Sequence, residues 1–202
     1  MNSELIRSIV REEWEQFQRV QNQGGRAPCQ NDYRTFAIMR ASQFSTWNDG
    51  LCESYLADLR GAAAGGRNLL TEKYAYMMKS TDPAGFENIR HLLPPVSREK
   101  ADMIDGITAV QLGWQSEYVK KYPRFSAGSR PTDASSDSLY GTSFETYLRG
   151  ELATYSERTL ALYLAHVKAL EAAGRNMTIE NLECTARMYG FASLAEMEKI
   201  SG

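Results

Sequence analysis

Apolar residues recur along this chain at steps of three and four, the spacing that gathers them on one face of an α-helix. Residues 3–22 carry Ile6, Val10, Phe17 and Val20 on one stripe, and Ser3 stands where a capping hydroxyl is favoured. The run Gln23-Gly24-Gly25-Arg26-Ala27-Pro28 breaks that helix. The pattern then predicts a long helix over 31–60, bent at Asn48-Asp49-Gly50, and a short one over 69–79 stopped by Asp82-Pro83. A fourth helix over 97–121 opens at Ser97, and a fifth over 143–173 closes at Gly174. Residues 85–96 read as irregular because Pro94-Pro95 cannot continue a helix. Residues 123–142, rich in Ser, Gly, Pro and Asp, read as a surface loop long enough to be functional or mobile. Two short helices finish the chain, one near Thr178 and one that Ser193 and Glu196 open as a capping box. No segment alternates as a strand does. The fold expected is therefore all-α: a single helical domain over 1–202, a bundle of about five main helices with two short C-terminal ones and one long surface loop.

Each of four stripes is interrupted by a strongly polar residue. Glu13 falls between Val10 and Phe17, with Trp14 beside it. Arg40 fills the gap in the series Tyr33, Phe36, Phe44, Trp47, Leu51 and Tyr55. Gln111 interrupts Ile104, Ile107, Trp114 and Tyr118, and His166 falls among Leu148, Leu152, Tyr155, Leu162 and Leu170. A buried charge without a partner costs several kcal/mol, so Glu13 and Arg40 are expected to meet each other or a ligand. Bundles build sites from such inward side chains. The bland alternatives stay open: Glu13 at the stripe's edge, a purely structural Glu13–Arg40 pair, or a satisfied core histidine at 166.

Composition narrows the function classes. The chain has 202 residues, 43% of them hydrophobic, which is enough for a full core. A net charge of −2 and a pI of about 5.8 give no field that attracts phosphate backbones, so no nucleic-acid partner is expected, and Arg124 and Arg130 read as solvated. The N-terminal run is neither a signal peptide nor a membrane span, since Arg7 and Arg11 interrupt its apolar residues. Three cysteines, Cys29, Cys52 and Cys184, fit no framework, so a cytoplasmic setting without a membrane partner is expected.

Established motifs fail. The Gly-rich runs lack the Gly-Lys-Ser/Thr ending of a phosphate loop. His91 and His166 are preceded at three residues by Asn88 and Tyr163 rather than by an acid, which argues against a di-metal bundle, and no zinc spacing occurs. Neither metal nor cofactor is expected. Cys29, after Pro28 at the expected start of the second helix, is a candidate nucleophile, since free N–H groups there favour a thiolate. The alternative is a small residue packed at a helix start.

The run Glu13-Trp14-x-x-Phe17-x-x-Val20-x-Asn22-x-Gly24-Gly25-Arg26-Ala27-x-Cys29-Gln30 continues into Phe36-x-x-Met39-Arg40-x-x-Gln43-Phe44. With Tyr74-x-x-Met77-Met78-Lys79 and the long fifth helix, it resembles a bacterial family catalogued as domain of unknown function 4125. That resemblance implies a bacterial cytoplasmic protein and supplies no activity.

The expected function is binding of a small anionic metabolite between helices. Arg26 and Arg40 would clamp it, with Gln30 at a helix start. Gln43 and Gln111 would orient polar groups, and Trp47, Tyr74, Trp114 and Tyr118 would form aromatic walls. If the protein is catalytic, Glu13 or His166 would act as base or acid in metal-free elimination or hydrolysis, with Cys29 acylation as the second option. A homodimer is allowed. The rival reading is a non-catalytic helical module that binds another protein.

Overall fold

The computed structural model describes residues 2–21, 25–139 and 141–201, and within them the chain is helical with no β-strand. The first helix, α1 (Ser3–Gln18), is capped by Asn2 rather than Ser3: the Asn2 side chain accepts from the N–H groups of Glu4 and Leu5. It ends at Gln18, and the expected break at Gln23-Gly24 lies outside the described residues.

The long helix expected over 31–60 is two helices, α2 (Tyr33–Phe44) and α3 (Asp49–Ala64). Asn48 causes the division. Its side chain accepts from the Leu51 N–H at 2.9 Å, so the residue starts a new helix instead of bending an old one. Asp32 caps α2 in the same way through the Thr35 N–H. Gly66, at φ 73°, closes α3: the Arg67 N–H reaches the Ala62 carbonyl at 2.8 Å and the Gly66 N–H reaches that of Ala63, a Schellman arrangement.

Next come α4 (Leu69–Thr81) and α5 (Pro83–Ile89). The helical α5 corrects the reading of this segment as irregular. Asp82 caps it and Pro83 stands in its first turn, where a missing N–H does no harm. The long α6 (Arg98–Lys121) begins at Ser97 as expected, and a single turn, α7 (Pro123–Ser126), follows.

The fifth predicted helix also divides, into α8 (Phe144–Ala153) and α9 (Glu157–Ala172), because Ser156 caps a new start. Then α10 (Met177–Met188) is capped by Asn176, and α11 (Leu194–Ile200) by Ser193. Glu196 accepts from the Ala192 N–H, so only half of the expected capping box forms.

The predicted surface loop is tied down. Asp137 accepts from the Ser143 N–H at 2.6 Å, from the Ser80 hydroxyl at 2.5 Å and from the Thr146 hydroxyl. Burial pushes the Asp137 carboxyl up, but these donors outweigh it and hold it below its ordinary value.

The most extensive packing joins α4 to α8, α6 to α9 and α1 to α3. Gly150 permits the first of these: a Cβ there would lie 2.6 Å from Met77 Cγ and 2.9 Å from the Lys73 carbonyl. One large apolar cluster runs through α1, α3, α6, α8 and α9, including Ile9, Leu51, Leu59, Ile107, Leu152 and Leu160. A smaller one joins Tyr118, Tyr122 and Leu194 near the C-terminus. No helix among the described residues is long and apolar enough to cross a membrane.

Candidate ligand-binding site

The stripe of α1 turns Glu13 inward, to 1% exposure, where α2, α3 and α4 also converge. Arg40 of α2 meets it with two parallel bonds, Nε to Oε2 at 2.7 Å and Nη2 to Oε1 at 2.5 Å. Tyr55 of α3 donates its hydroxyl to the same carboxylate at 2.6 Å. The Arg40 guanidinium continues to Glu151 of α8 at 3.1 Å and to the side-chain oxygen Oε1 of Gln43 at 2.7 Å. Gln43 in turn donates its amide N–H to Glu151 at 3.1 Å, and Tyr155 donates its hydroxyl there at 2.8 Å. Lys73 of α4 completes the set, with Nζ 2.5 Å from the second Glu151 oxygen and 3.4 Å from the centre of the Tyr147 ring.

Two acids and two bases thus form one buried network whose formal charges cancel. The environment holds each charge in place. Burial alone would lower Arg40, but Glu13 and Glu151 outweigh it and raise its pKa well above the ordinary value. Burial also opposes Lys73, which Glu151 raises. Burial pushes the Glu151 carboxyl up, yet Arg40 and Lys73 hold it far below the usual carboxylate range. Tyr55 and Tyr155 are driven well upward by burial and by the neighbouring carboxylates, and so remain protonated donors.

The network lies in the wall between two cavities. The first, about 330 Å³, opens between α1, α2, α4 and α8; its lining includes Phe17, Cys29, Phe36, Tyr74 and Tyr147 beside the four charges. The second, about 410 Å³, lies between α2, α6, α8 and α10 and is lined by Gln43, Gln111, Gln115, Tyr118 and Asn181 among others. Met39, Arg130, Tyr147 and Glu151 belong to both linings.

Arg130 is exposed. Its guanidinium lies 4.8 Å from the Tyr147 ring centre and donates to the Thr142 carbonyl, and no carboxylate pairs with it among the described residues. Asp32, the remaining acid of the first lining, is engaged as the α2 cap. The hydroxyls of Tyr74 and Tyr147 have no hydrogen-bond partner among the described residues. Burial and the nearby Tyr147 push the Tyr74 hydroxyl up to about 12.

Of the residues singled out in the sequence, Glu13, Arg40 and Gln43 meet in the network. Cys29 and Tyr74 line the first cavity, and Gln111 and Tyr118 line the second. The others lie apart. Arg26 and Gln30 hold the linker after α1: Arg26 donates to Gln18, Asn31 and the Gln30 carbonyl, while the Gln30 amide donates to the carbonyls of Phe17 and Val20. Trp47 is packed among Phe44, Tyr55, Tyr155 and Tyr163. Trp114 borders a separate cleft with Val110 and Arg175. His166 bonds the Thr46 carbonyl at 2.8 Å and Asn48, and it lines neither cavity. Cys29 stands in a short 3-10 turn, Pro28–Asn31, and α2 starts only after it, with Asp32 rather than Cys29 at its cap. Among the described residues no group of three or more His, Cys, Asp or Glu side chains is placed to hold a metal ion.

The sequence reading missed Lys73, Glu151, Arg130, Tyr147 and Gln115. Lys73 leaves a signal, a basic residue four positions from both Leu69 and Met77. Glu151 leaves almost none, because Leu152 keeps its stripe unbroken.

Fold and site together define a class: an all-helical protein with a charge-balanced polar network set between two inter-helix cavities. The chain belongs to the family described as Protein of unknown function (DUF4125), whose model matches residues 3–199. Comparison with curated proteins and with solved structures gives no match.

Proposed function

We propose that this protein binds a small organic anion where the two cavities meet, with Arg130 as its counter-charge. One observation carries the reading: every other cation of the two linings is neutralised by a carboxylate, whereas Arg130 is held over Tyr147 with none among the described residues. The free hydroxyls of Tyr74 and Tyr147 supply further donors, and Phe17 and Phe36, stacked with centroids 5.3 Å apart, supply an apolar wall. The three cysteines, an odd number, keep the proposed setting cytoplasmic.

Binding is favoured over metal-free proton transfer. A general acid or base works best when its pKa lies near the operating pH, and Arg40, Lys73 and Glu151 are each displaced further into their charged forms. Glu13 is occupied by Arg40 and Tyr55, and His166 lies elsewhere. The network is better suited to a fixed electrostatic platform than to a relay.

The test is a thermal-shift titration with inorganic phosphate and a set of small carboxylates, against chloride at matched ionic strength. A saturable rise is expected, reaching about 2.7 kcal/mol of stabilisation at a hundred times Kd. Arg130→Ala should abolish the rise and leave the ligand-free melting temperature almost unchanged, because the residue is exposed. No rise in the unmodified protein, or an undiminished one in the variant, would falsify the reading.

A further inference from the structure

The second cavity contains a feature that packing does not require. Gln111 and Gln115 stand one turn apart on α6 and face the same cavity, each only 5% exposed. Gln111 donates to the Tyr163 hydroxyl at 3.0 Å, which leaves its carbonyl oxygen free. The Gln115 amide makes no hydrogen bond at all among the described residues. The Gln115 amide atoms are not sealed in the protein interior: they open onto the cavity, so their donors and acceptor stand ready for a ligand there. Facing these amides across the cavity, the side chains of Thr178 and Asn181 on α10 are also without hydrogen-bond partners among the described residues.

Chemistry and shape narrow what such a cavity takes. Among the described residues its only charged lining groups are Arg130, at the junction, and Glu151, already bonded by Arg40, Gln43, Lys73 and Tyr155. The rest of its recognition is amide and hydroxyl, which suits an uncharged group carrying adjacent donors and acceptors. A side-chain amide presents one acceptor and one donor in a plane, the pattern that pairs with the edge of a nucleobase. Phe144, Tyr118 and Tyr147 supply aromatic surface for a flat ring.

We infer that the ligand is a nucleoside monophosphate, or a molecule of that plan, with its planar heterocycle against Gln111, Gln115 and Asn181. Its anionic group lies on Arg130. This rests on the anion site proposed above and adds the identity of the uncharged part.

The experiment titrates the full chain with the four common ribonucleoside 5′-monophosphates, their nucleosides, ribose 5-phosphate and inorganic phosphate. At least one nucleotide is expected to bind tenfold or more tightly than ribose 5-phosphate. Gln115→Met and Gln115→Leu should melt at the same temperature as the parent or higher, should lose that tenfold preference, and should bind ribose 5-phosphate as before. Nucleotides that bind no better than ribose 5-phosphate overturn the inference and leave the anion site standing. A nucleoside that binds as tightly as its monophosphate, through Gln115, supports the ring pocket and removes the anion reading. Silence from every probe removes both. A lower melting temperature in both Gln115 variants would mark the amide as structural and also overturn the inference.

Discussion

The two cavities share Met39, Arg130, Tyr147 and Glu151, yet their polar groups are treated in opposite ways. In the wall of the first, each buried charge has an opposite charge beside it, and Glu151 is bonded by Arg40, Lys73, Gln43 and Tyr155 together. In the second, Gln115 is 5% exposed, and its amide opens onto the cavity with no hydrogen-bond partner among the described residues. A saturated network explains its own presence, because removing one member leaves another charge stranded. An amide that opens onto a cavity and bonds no neighbour adds nothing to such a network, and its donors and acceptor are the groups a ligand would use.

The largest effect expected from this contrast is in the network. Arg40→Leu leaves Glu13 with only the Tyr55 hydroxyl and leaves Lys73 as the sole cation on Glu151. Breaking a buried ion pair from one side costs about 3–5 kcal/mol, so urea unfolding should show a loss of that size at unchanged m-value. A loss below about 1 kcal/mol would mean that the network behaves like a surface salt bridge, and the contrast would fail.

Protonation attacks the same network more gradually. Glu151 titrates lower in the folded chain than its ordinary value of 4.5, so its contribution is complete above that pH and is lost as pH falls towards its depressed folded value. Lys73 titrates above its ordinary 10.5, so its contribution is complete below that pH and fades as pH rises further. Unfolding free energies should therefore drop on both sides of a plateau, by on the order of 2 kcal/mol on the acid side between about pH 5 and pH 2. Glu151→Gln should flatten the acid limb. An acid limb identical to that of the parent would place the titrating group elsewhere, among Asp32, Asp133 and Asp137, whose hydrogen-bond donors also hold them below their ordinary value.

How much of this was legible depends on what periodicity encodes. Spacing gives the face of a helix, and it turned Glu13, Arg40 and Gln111 inward correctly, since a polar residue in a gap of a stripe is visible without coordinates. Spacing does not give the angle between helices, so it could not tell that Glu13 and Arg40 meet Lys73 and Glu151 while His166 turns to Thr46. The large aromatics misled for a related reason. Trp47 and Trp114 have the right faces, but one is wrapped by four rings and the other borders a cleft elsewhere. Helix breaks were underestimated at Asn48 and Ser156, where a capping side chain outweighs a continuous apolar stripe. Arg130 sits in a segment without period, where no pattern could mark it.

The smallest effect separates two glutamines that the sequence alone would treat alike. Gln111 and Gln115 have the same exposure, the same helix and the same cavity, and differ in one bond, from Gln111 to the Tyr163 hydroxyl. Replacing Gln111 by Met removes that bond from a buried hydroxyl, which costs about 1 kcal/mol by the usual worth of such a bond. Replacing Gln115 by Met removes an amide that pairs with none of the described residues and opens onto the cavity, so the free protein should lose little or no stability. Urea unfolding of the two single variants, run side by side without ligand, reads the difference directly. Equal losses would mean that Gln115 has a partner in solution. In that case the asymmetry between the cavities, and the reason for assigning a ligand to the second, would disappear together.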